Sequence, residues 1–194
     1  EAVYREVGPA TTHLSMKGCA LPASLFDVLL VPMALVVLDL SGTGLDRLPA
    51  PLRHCPTLEE LNVSANPLAA PAHWAPLAAL PALRVLLADD CGLAALPLEL
   101  RDTRQLRVLG VRANHLTHLP SWLHVLDKLE CLLLDGNDAL SPAWRAVLAP
   151  LLEPAAPPEQ SPTTGEARRG LLHRALRWGA PRRADRDERA ARAA

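Results

Sequence analysis

Aromatic residues are scarce in this sequence: four Trp, one Tyr and one Phe make up 3% of 194 residues. A core with so few rings has to be assembled from Leu, Val and Ala. Cysteine is also sparse. Cys19, Cys55, Cys91 and Cys131 stand far apart, form no CxxC pair and cluster at neither end. The absence of cysteine-rich caps favours a reducing compartment. Long apolar runs are missing too: the most apolar stretch, residues 28–38, is too short to span a bilayer and contains Pro32. Residue 1 is Glu rather than Met, so the sequence reads as a fragment or processed product, with no signal peptide at its start. These features together predict a cytoplasmic protein.

Motifs for catalysis are likewise absent. There is no GxxxxGK[ST] phosphate loop, no GxGxxG turn, no HExxH and no GxSxG. His115 and His118 lie three apart, with His124 beyond. On a helix that spacing would suit a metal, but Leu116 and Leu119 mark the segment as a turn between apolar positions, which leaves outward-facing histidines. No cofactor, no metal and no catalytic residue is predicted, and any enzymatic activity of a parent polypeptide would lie outside this interval.

What the sequence does contain is leucine at fixed spacing. Hydrophobic residues reach 49%, and 19 prolines break the chain into many short elements. The pattern LxxLxLxxNxL recurs as Leu35-Val-Val-Leu38-Asp-Leu40-Ser-Gly-Thr43-Gly-Leu45, then from Leu58 to Leu68, from Leu83 to Leu93, and from Leu106 to Leu116. A fifth copy runs from Leu129 to Asn137 and then departs, with Ala139 in place of Leu. A degenerate earlier copy fits Thr11, Leu14, Met16, Cys19 and Leu21. The starts at 11, 35, 58, 83, 106 and 129 differ by 24, 23, 25, 23 and 23. Register held over six units is the signature of a solenoid.

Each LxxLxL stretch is predicted to be a short strand whose leucines point inward. The ninth position, Asn66, Asn114 and Asn137, suits a side chain that hydrogen-bonds the backbone of adjoining turns. Thr43, Cys19 and Cys91 fill the same slot and would make weaker contacts; for the two cysteines the alternative is a redox or metal thiol. After the strand comes LxxLP, at Leu45–Pro49, Leu93–Pro97 and Leu116–Pro120, where Pro opens a short convex helical or extended segment. No unit buries its leucines alone, so neighbours and end caps are required.

These residues resemble the intracellular "typical" leucine-rich-repeat class, with units of about 23 residues and LP turns. Its members include Ras-pathway scaffolds, the repeat segments of fungal adenylyl cyclases and repeat proteins of fungal morphogenesis-kinase networks. The likeness covers residues 11–152. It implies an α/β fold, a right-handed solenoid with a parallel β-sheet on the concave face and a C-terminal capping helix, and a partner that is a small GTPase or a kinase-pathway component.

The flanks divide by composition. Residues 1–10 form an N-terminal flank, and 11–152 the repeat domain of about six units. Within it, residues 138–152 are predicted to be a capping helix, with Trp144, Val147, Leu148, Leu151 and Leu152 at helical spacing. Residues 153–165 form a Pro-rich linker containing a PxxP tetrad at Pro154–Pro157. Residues 166–194 form a basic, partly helical or disordered tail. Nine Arg against Asp185, Asp187 and Glu188 give residues 167–194 a charge of +6, which leaves 11 basic and 18 acidic residues, or −7, in the remainder. Leu171, Leu172, Ala175 and Leu176 share a face in this tail, which suits a partner groove or an anionic membrane surface; the alternative is a solvated, partly disordered tail or the start of a further domain.

Counted from the first leucine of each unit, positions two, three, five, seven and eight point outward from the strands. They predict a mixed face: an exposed apolar patch of Val85, Leu87, Val108 and Leu133, surrounded by Glu59, Arg84, Asp89, Arg107, Arg112, Glu130 and Asp135, with Glu60 also on the concave face. An apolar centre with an Arg-containing rim suits a protein partner. No single-sign basic face exists, which argues against nucleic acid. The predicted function is therefore a scaffold for intracellular signalling. The alternatives are a regulatory or targeting segment of a larger enzyme, such as an adenylyl cyclase or phosphatase, and a receptor ectodomain.

Overall fold

A computed structural model describes residues 11–20 and 34–141. Six short strands follow one another in the chain: β1 (His13–Ser15), β2 (Val37–Asp39), β3 (Glu60–Asn62), β4 (Val85–Leu87), β5 (Val108–Gly110) and β6 (Cys131–Leu133). They form a single parallel sheet in sequence order, without a crossover. Leu14, Leu38, Leu61, Leu86, Leu109 and Leu132 are aligned across it, so every coil repeats its neighbour's register. The predicted strands lie where the leucine spacing put them. The capping helix, the linker, the tail and residues 1–10 fall outside the described residues, apart from 138–141.

Inward burial follows the repeat. Leu35, Leu38 and Leu40 are fully enclosed, and so are Leu58, Leu61 and Val63 one coil later. A fully buried Leu contributes roughly 1.5–3 kcal/mol, but only when the coils on either side cover it. Ala139 leaves the eleventh position of the last unit short, and Leu140, one residue later, supplies the buried side chain. A turn in which the Leu140 N–H donates to the Asn137 carbonyl makes room for the shift.

On the convex side, 3₁₀ helices span Ala50–His54, Pro71–Ala79, Leu98–Asp102 and Ser121–Val125. Pro49, Pro97 and Pro120 stand in extended conformation immediately before three of them, at the LP turns. A 3₁₀ helix rises about 2.0 Å per residue, so five residues span the gap that would need more in an α-helix. The 25-residue unit places its extra length in the nine-residue segment. There Trp74 is wholly buried and its indole Nε1–H donates to the Leu68 carbonyl at 2.9 Å.

The ninth-position side chains tie coil to coil. Asn114 Oδ1 accepts the N–H groups of Cys91 (3.0 Å) and Leu93 (2.9 Å), while its Nδ2 donates to the carbonyls of Ala88 (2.9 Å) and Arg112 (3.1 Å). Asn66 and Asn137 repeat the arrangement on Leu45 and Leu116. The Thr43 hydroxyl donates to the Leu40 carbonyl at 2.8 Å and lies 3.2 Å from Asn66 Oδ1. The Cys91 thiol lies 3.4 Å from the Val63 carbonyl. These are the weaker contacts expected of shorter side chains.

A second repeating feature was not legible in the leucine pattern. The eighth position is left-handed in every coil: Gly18 (φ 69°), Gly42 (64°), Ala65 (58°), Asp90 (53°), Ala113 (51°) and Gly136 (77°). In five of the six coils its N–H reaches across to a seventh-position carbonyl of the next: Gly18 to Ser41, Gly42 to Ser64, Ala65 to Asp89, Asp90 to Arg112 and Ala113 to Asp135. Non-glycine residues hold this conformation at a cost of about 1–2 kcal/mol, offset by the inter-coil bond. At Gly136 a Cβ would lie 3.1 Å from the Ala113 Cα, so here the neighbouring backbone leaves no room. Ala113→Gly is expected to be neutral or stabilising by about 0.5–1 kcal/mol, and Gly136→Ala to cost at least about 1 kcal/mol. Urea denaturation of the two variants checks both signs.

Candidate functional site

Strands of three residues leave little choice about which side chains face outward. With Leu14, Leu38, Leu61, Leu86, Leu109 and Leu132 inward, the residues on either side must point to the concave surface. One row there reads His13, Val37, Glu60, Val85, Val108, Cys131, and its parallel reads Ser15, Asp39, Asn62, Leu87, Gly110, Leu133. The face has two halves. Over β1–β3 it is polar apart from Val37, and Asp39 and Asn62 turn their oxygens back to accept the N–H groups of Ser41 and Ser64. Over β4–β6 it is apolar.

The predicted patch is present but not exposed. Val85, Leu87, Val108, Cys131 and Leu133 form an apolar cluster separate from the inner core, with exposures between 1% and 8%. Strand neighbours stand only about 4.8 Å to each side, so branched side chains in one row shield one another's flanks. Gly110 is part of the same packing: a Cβ on it would lie 2.8 Å from Leu87 Cδ2 and 3.1 Å from Asp89 Oδ1. The side chain of Leu87 leans into the space that Gly110 leaves. Leucine spacing had placed Cys131 and Gly110 in these rows without marking either as part of the patch. Shared register with Val85 and Leu87 is the signal that links them.

Two charged edges border the cluster. At the second position, Arg84 lies 3.3 Å from Glu59, and Arg107 pairs with Glu130. The two arginines are neighbours in the row, and each is drawn towards a carboxylate on its far side, so like charges splay apart. At the seventh position, Arg112 Nε lies 3.5 Å from Asp135 Oδ2 but makes no hydrogen bond there. Pairs this open to solvent contribute about 0–1 kcal/mol each. They orient guanidinium groups more than they hold the fold. The Asp135 side chain is 87% exposed and remains open to a partner.

Two predicted acidic residues are placed differently from expectation. Asp89, expected at an open edge, is buried, and its Oδ1 accepts the Arg112 backbone N–H at 2.7 Å. Burial pushes its carboxyl above the usual carboxylate range, against the opposing pull of that N–H and the Arg112 charge. Asp89 is thus an internal brace between coils. Glu60, expected as an open residue of the concave face, is 3% exposed within the third-position row. His115, His118 and His124 are exposed, and among the described residues no three His, Cys, Asp or Glu side chains converge as a metal would require. Burial raises the Cys55 thiol and pushes that of Cys91 up to about 12. Among the described residues no helix is long and apolar enough to cross a membrane.

Known structures share this geometry. A leucine-rich-repeat protein of Leptospira interrogans superimposes with a TM-score of 0.56 at 25% identity, over 73% of this chain and 36% of that one. The fold is a leucine-rich-repeat solenoid. An internalin C2 of Listeria monocytogenes superimposes with a TM-score of 0.50 at 21% identity, over 63% of this chain and 61% of its own. The chain therefore spans about a third of the first and less than two thirds of the second. No family model and no curated protein matches the sequence.

Two outcomes follow from the buried groups of this solenoid. Because the folded-state value of Asp89 is raised, its contribution is most favourable when the carboxyl is protonated, and it falls as pH climbs from the ordinary carboxylate range through the raised value. Asp89→Asn keeps an oxygen for the Arg112 N–H and removes the charge. Its melting temperature is expected to drop less than that of the parent between acid and neutral pH, whereas Asp89→Ala loses the acceptor and about 1–3 kcal/mol. Calorimetry across that range separates the variants. The Cys91 thiol, raised by burial and 1% exposed, is expected to resist iodoacetamide until the chain unfolds. Site-resolved mass spectrometry with and without urea reads this directly.

Proposed function

We propose that this solenoid is a protein-binding module that takes its partner on the concave sheet over β4–β6. The observation that carries the reading is the apolar cluster of Val85, Leu87, Val108, Cys131 and Leu133, which belongs to the outer face rather than the inner core. Arginine-containing edges flank it on both sides. A desolvated apolar centre supplies most of the binding energy at protein interfaces, and a polar rim supplies orientation and on-rate. Glu59, Glu60, Arg84, Asp89, Arg107, Arg112, Glu130 and Asp135 are the polar residues of this site. Asp89 and Glu60 act through the shape of the face, while Asp135 and the four residues of the second-position row meet the partner.

The partner we favour is a component of intracellular signalling, either a small GTPase or a protein of a kinase pathway. The resemblance of the LP turns and of the 23-residue period supports this choice. The mixed charge of the face suits a protein surface better than a phosphate backbone, which would call for basic residues alone.

The test is recovery of partners from cell extract, followed by titration with the main recovered protein. Val85→Asp/Val108→Asp and, on the rim, Arg84→Glu/Arg107→Glu are compared with the parent. A variant that keeps its far-ultraviolet dichroism is expected to bind at least about thirtyfold more weakly, the effect of losing roughly 2 kcal/mol at a hot spot. Equal affinity in both folded variants removes the concave face as the site.

A further inference from the structure

We propose that the partner element taken by the concave face is an α-helix lying along the solenoid axis. Two acidic residues one turn apart sit over Arg84 and Arg107, and a basic residue follows one turn beyond at each end. This rests on the reading that the concave face binds a protein, and it adds the shape and charge order of what is bound.

The second-position row fixes the spacing. Glu59, Arg84, Arg107 and Glu130 stand in consecutive coils and are joined through the backbone. The Arg84 N–H donates to the Glu59 carbonyl, that of Arg107 to Arg84 and that of Glu130 to Arg107, each at 2.8 Å. Side chains tied in this way advance about 4.8 Å per coil, or about 14 Å over the row. An α-helix laid along the row advances about 5.4 Å per turn, so three turns depart from three coils by only about 2 Å. Long charged side chains absorb that difference. An extended segment brings a side chain to the same face about every 6.6 Å and slips by a whole coil over the same distance. Width agrees as well. From the second-position row to the fifth is three residues, about 10 Å, which is the diameter of one helix, about 10–12 Å. The helix therefore covers Val85 and Val108 with the stripe beside its charges.

The order of signs selects the chemistry. Along the row it is negative, positive, positive, negative. Arg84 Nη1 lies 3.3 Å from Glu59 Oε2 and Arg107 Nη1 pairs with Glu130, so each arginine is engaged on its outer side through one nitrogen. The other guanidinium N–H groups meet no acceptor among the described residues. The side chains of Arg84 and Arg107 are 50% and 39% exposed, which keeps them within reach of an incoming group. A carboxylate is the side chain that accepts paired N–H groups from a guanidinium. Glu59 and Glu130, at the two ends, attract cations and repel a further acid. The complement is basic, acidic, acidic, basic at one-turn intervals, which a helix supplies at positions i, i+4, i+7 and i+11. A second copy of this chain does not fit. The sign order is the same in both directions, so two rows laid together in register oppose like charges either way.

Three synthetic peptides test this by titration against the full chain, followed by fluorescence anisotropy. The first is a hydrocarbon-stapled helix with Lys, Glu, Glu and Lys one turn apart on one stripe and Leu on the adjoining stripe. The second has the same composition with the order Glu, Lys, Lys, Glu. The third repeats the first without the staple and with two central prolines, so that it cannot be helical. The first is expected to bind at least about tenfold tighter than either of the others. The exchange Glu59→Arg/Arg84→Glu/Arg107→Glu/Glu130→Arg is expected to invert the preference between the two helices. If that chain loses its far-ultraviolet dichroism, Arg84→Gln/Arg107→Gln takes its place and is expected to abolish the preference. Equal affinity for the two helices, a preference that persists in a folded variant, equal binding of the proline peptide, or no binding of any peptide overturns the proposal. Val85→Asp/Val108→Asp separates it from the reading beneath it. Peptides that bind without preference and are released by that variant leave the concave face as a binding site and remove the charge-ordered helix. A preference that inverts with the exchange but is untouched by that variant keeps the helix and removes the apolar cluster as the centre of binding.

Discussion

The interior of each coil is lined with buried apolar side chains, and the backbone has to turn inside it. That constraint governs the rest of the molecule. A buried N–H or carbonyl without a partner costs about 1–3 kcal/mol, and every coil turns at the same place. Asn114 meets the demand with four hydrogen bonds, two accepted and two donated; three of them join the units starting at Leu83 and Leu106, and the fourth, to the Arg112 carbonyl, closes its own turn. The leucines around it bury apolar area, but area alone does not set a register. The asparagine bonds and the inter-coil N–H to carbonyl bonds make each coil stop at one height above the last, and from that follows the alignment of Leu86, Leu109 and Leu132.

Once the coils are in register, the concave face is a consequence. Each strand has a period of two, so residues beside an inward leucine go outward whatever their chemistry. Selection of their chemistry then decides what the face does. In the first three coils it is polar and partly self-satisfied, as with Asp39 and Asn62 folding back on Ser41 and Ser64. In the last three it is aliphatic, with Gly110 leaving space for Leu87. The two sides of one strand thus belong to different clusters: the inward Leu109 to the core and its neighbour Val108 to the outer face.

Much of this was legible before any coordinates. The six strands, the LP turns followed by convex segments, and the asparagine slot all came from spacing, because a helical or strand period and a repeat length are one-dimensional quantities. Other features were not. The left-handed eighth position is occupied by Gly in three coils and by Ala65, Asp90 and Ala113 in the others. A residue type read alone does not reveal a φ angle enforced by a neighbour one coil away. Leu140 replacing Ala139 is similar, since a turn at Asn137 absorbs one residue. Trp74 gave no periodic signal and proved fully enclosed, held by its bond to Leu68.

By itself, the sequence determined the coil, its register and the side on which each residue lies. These depend on local geometry repeated at a constant interval. The tertiary structure alone decided how open that outer side is. Val85, Leu87, Val108 and Leu133 read as an exposed patch and are buried, and Asp89 reads as an open charge and is a brace with a raised carboxyl value. Burial and ionisation depend on atoms brought close from one coil away or more. Spacing along the chain states which way a side chain points and carries no information about what stands in front of it.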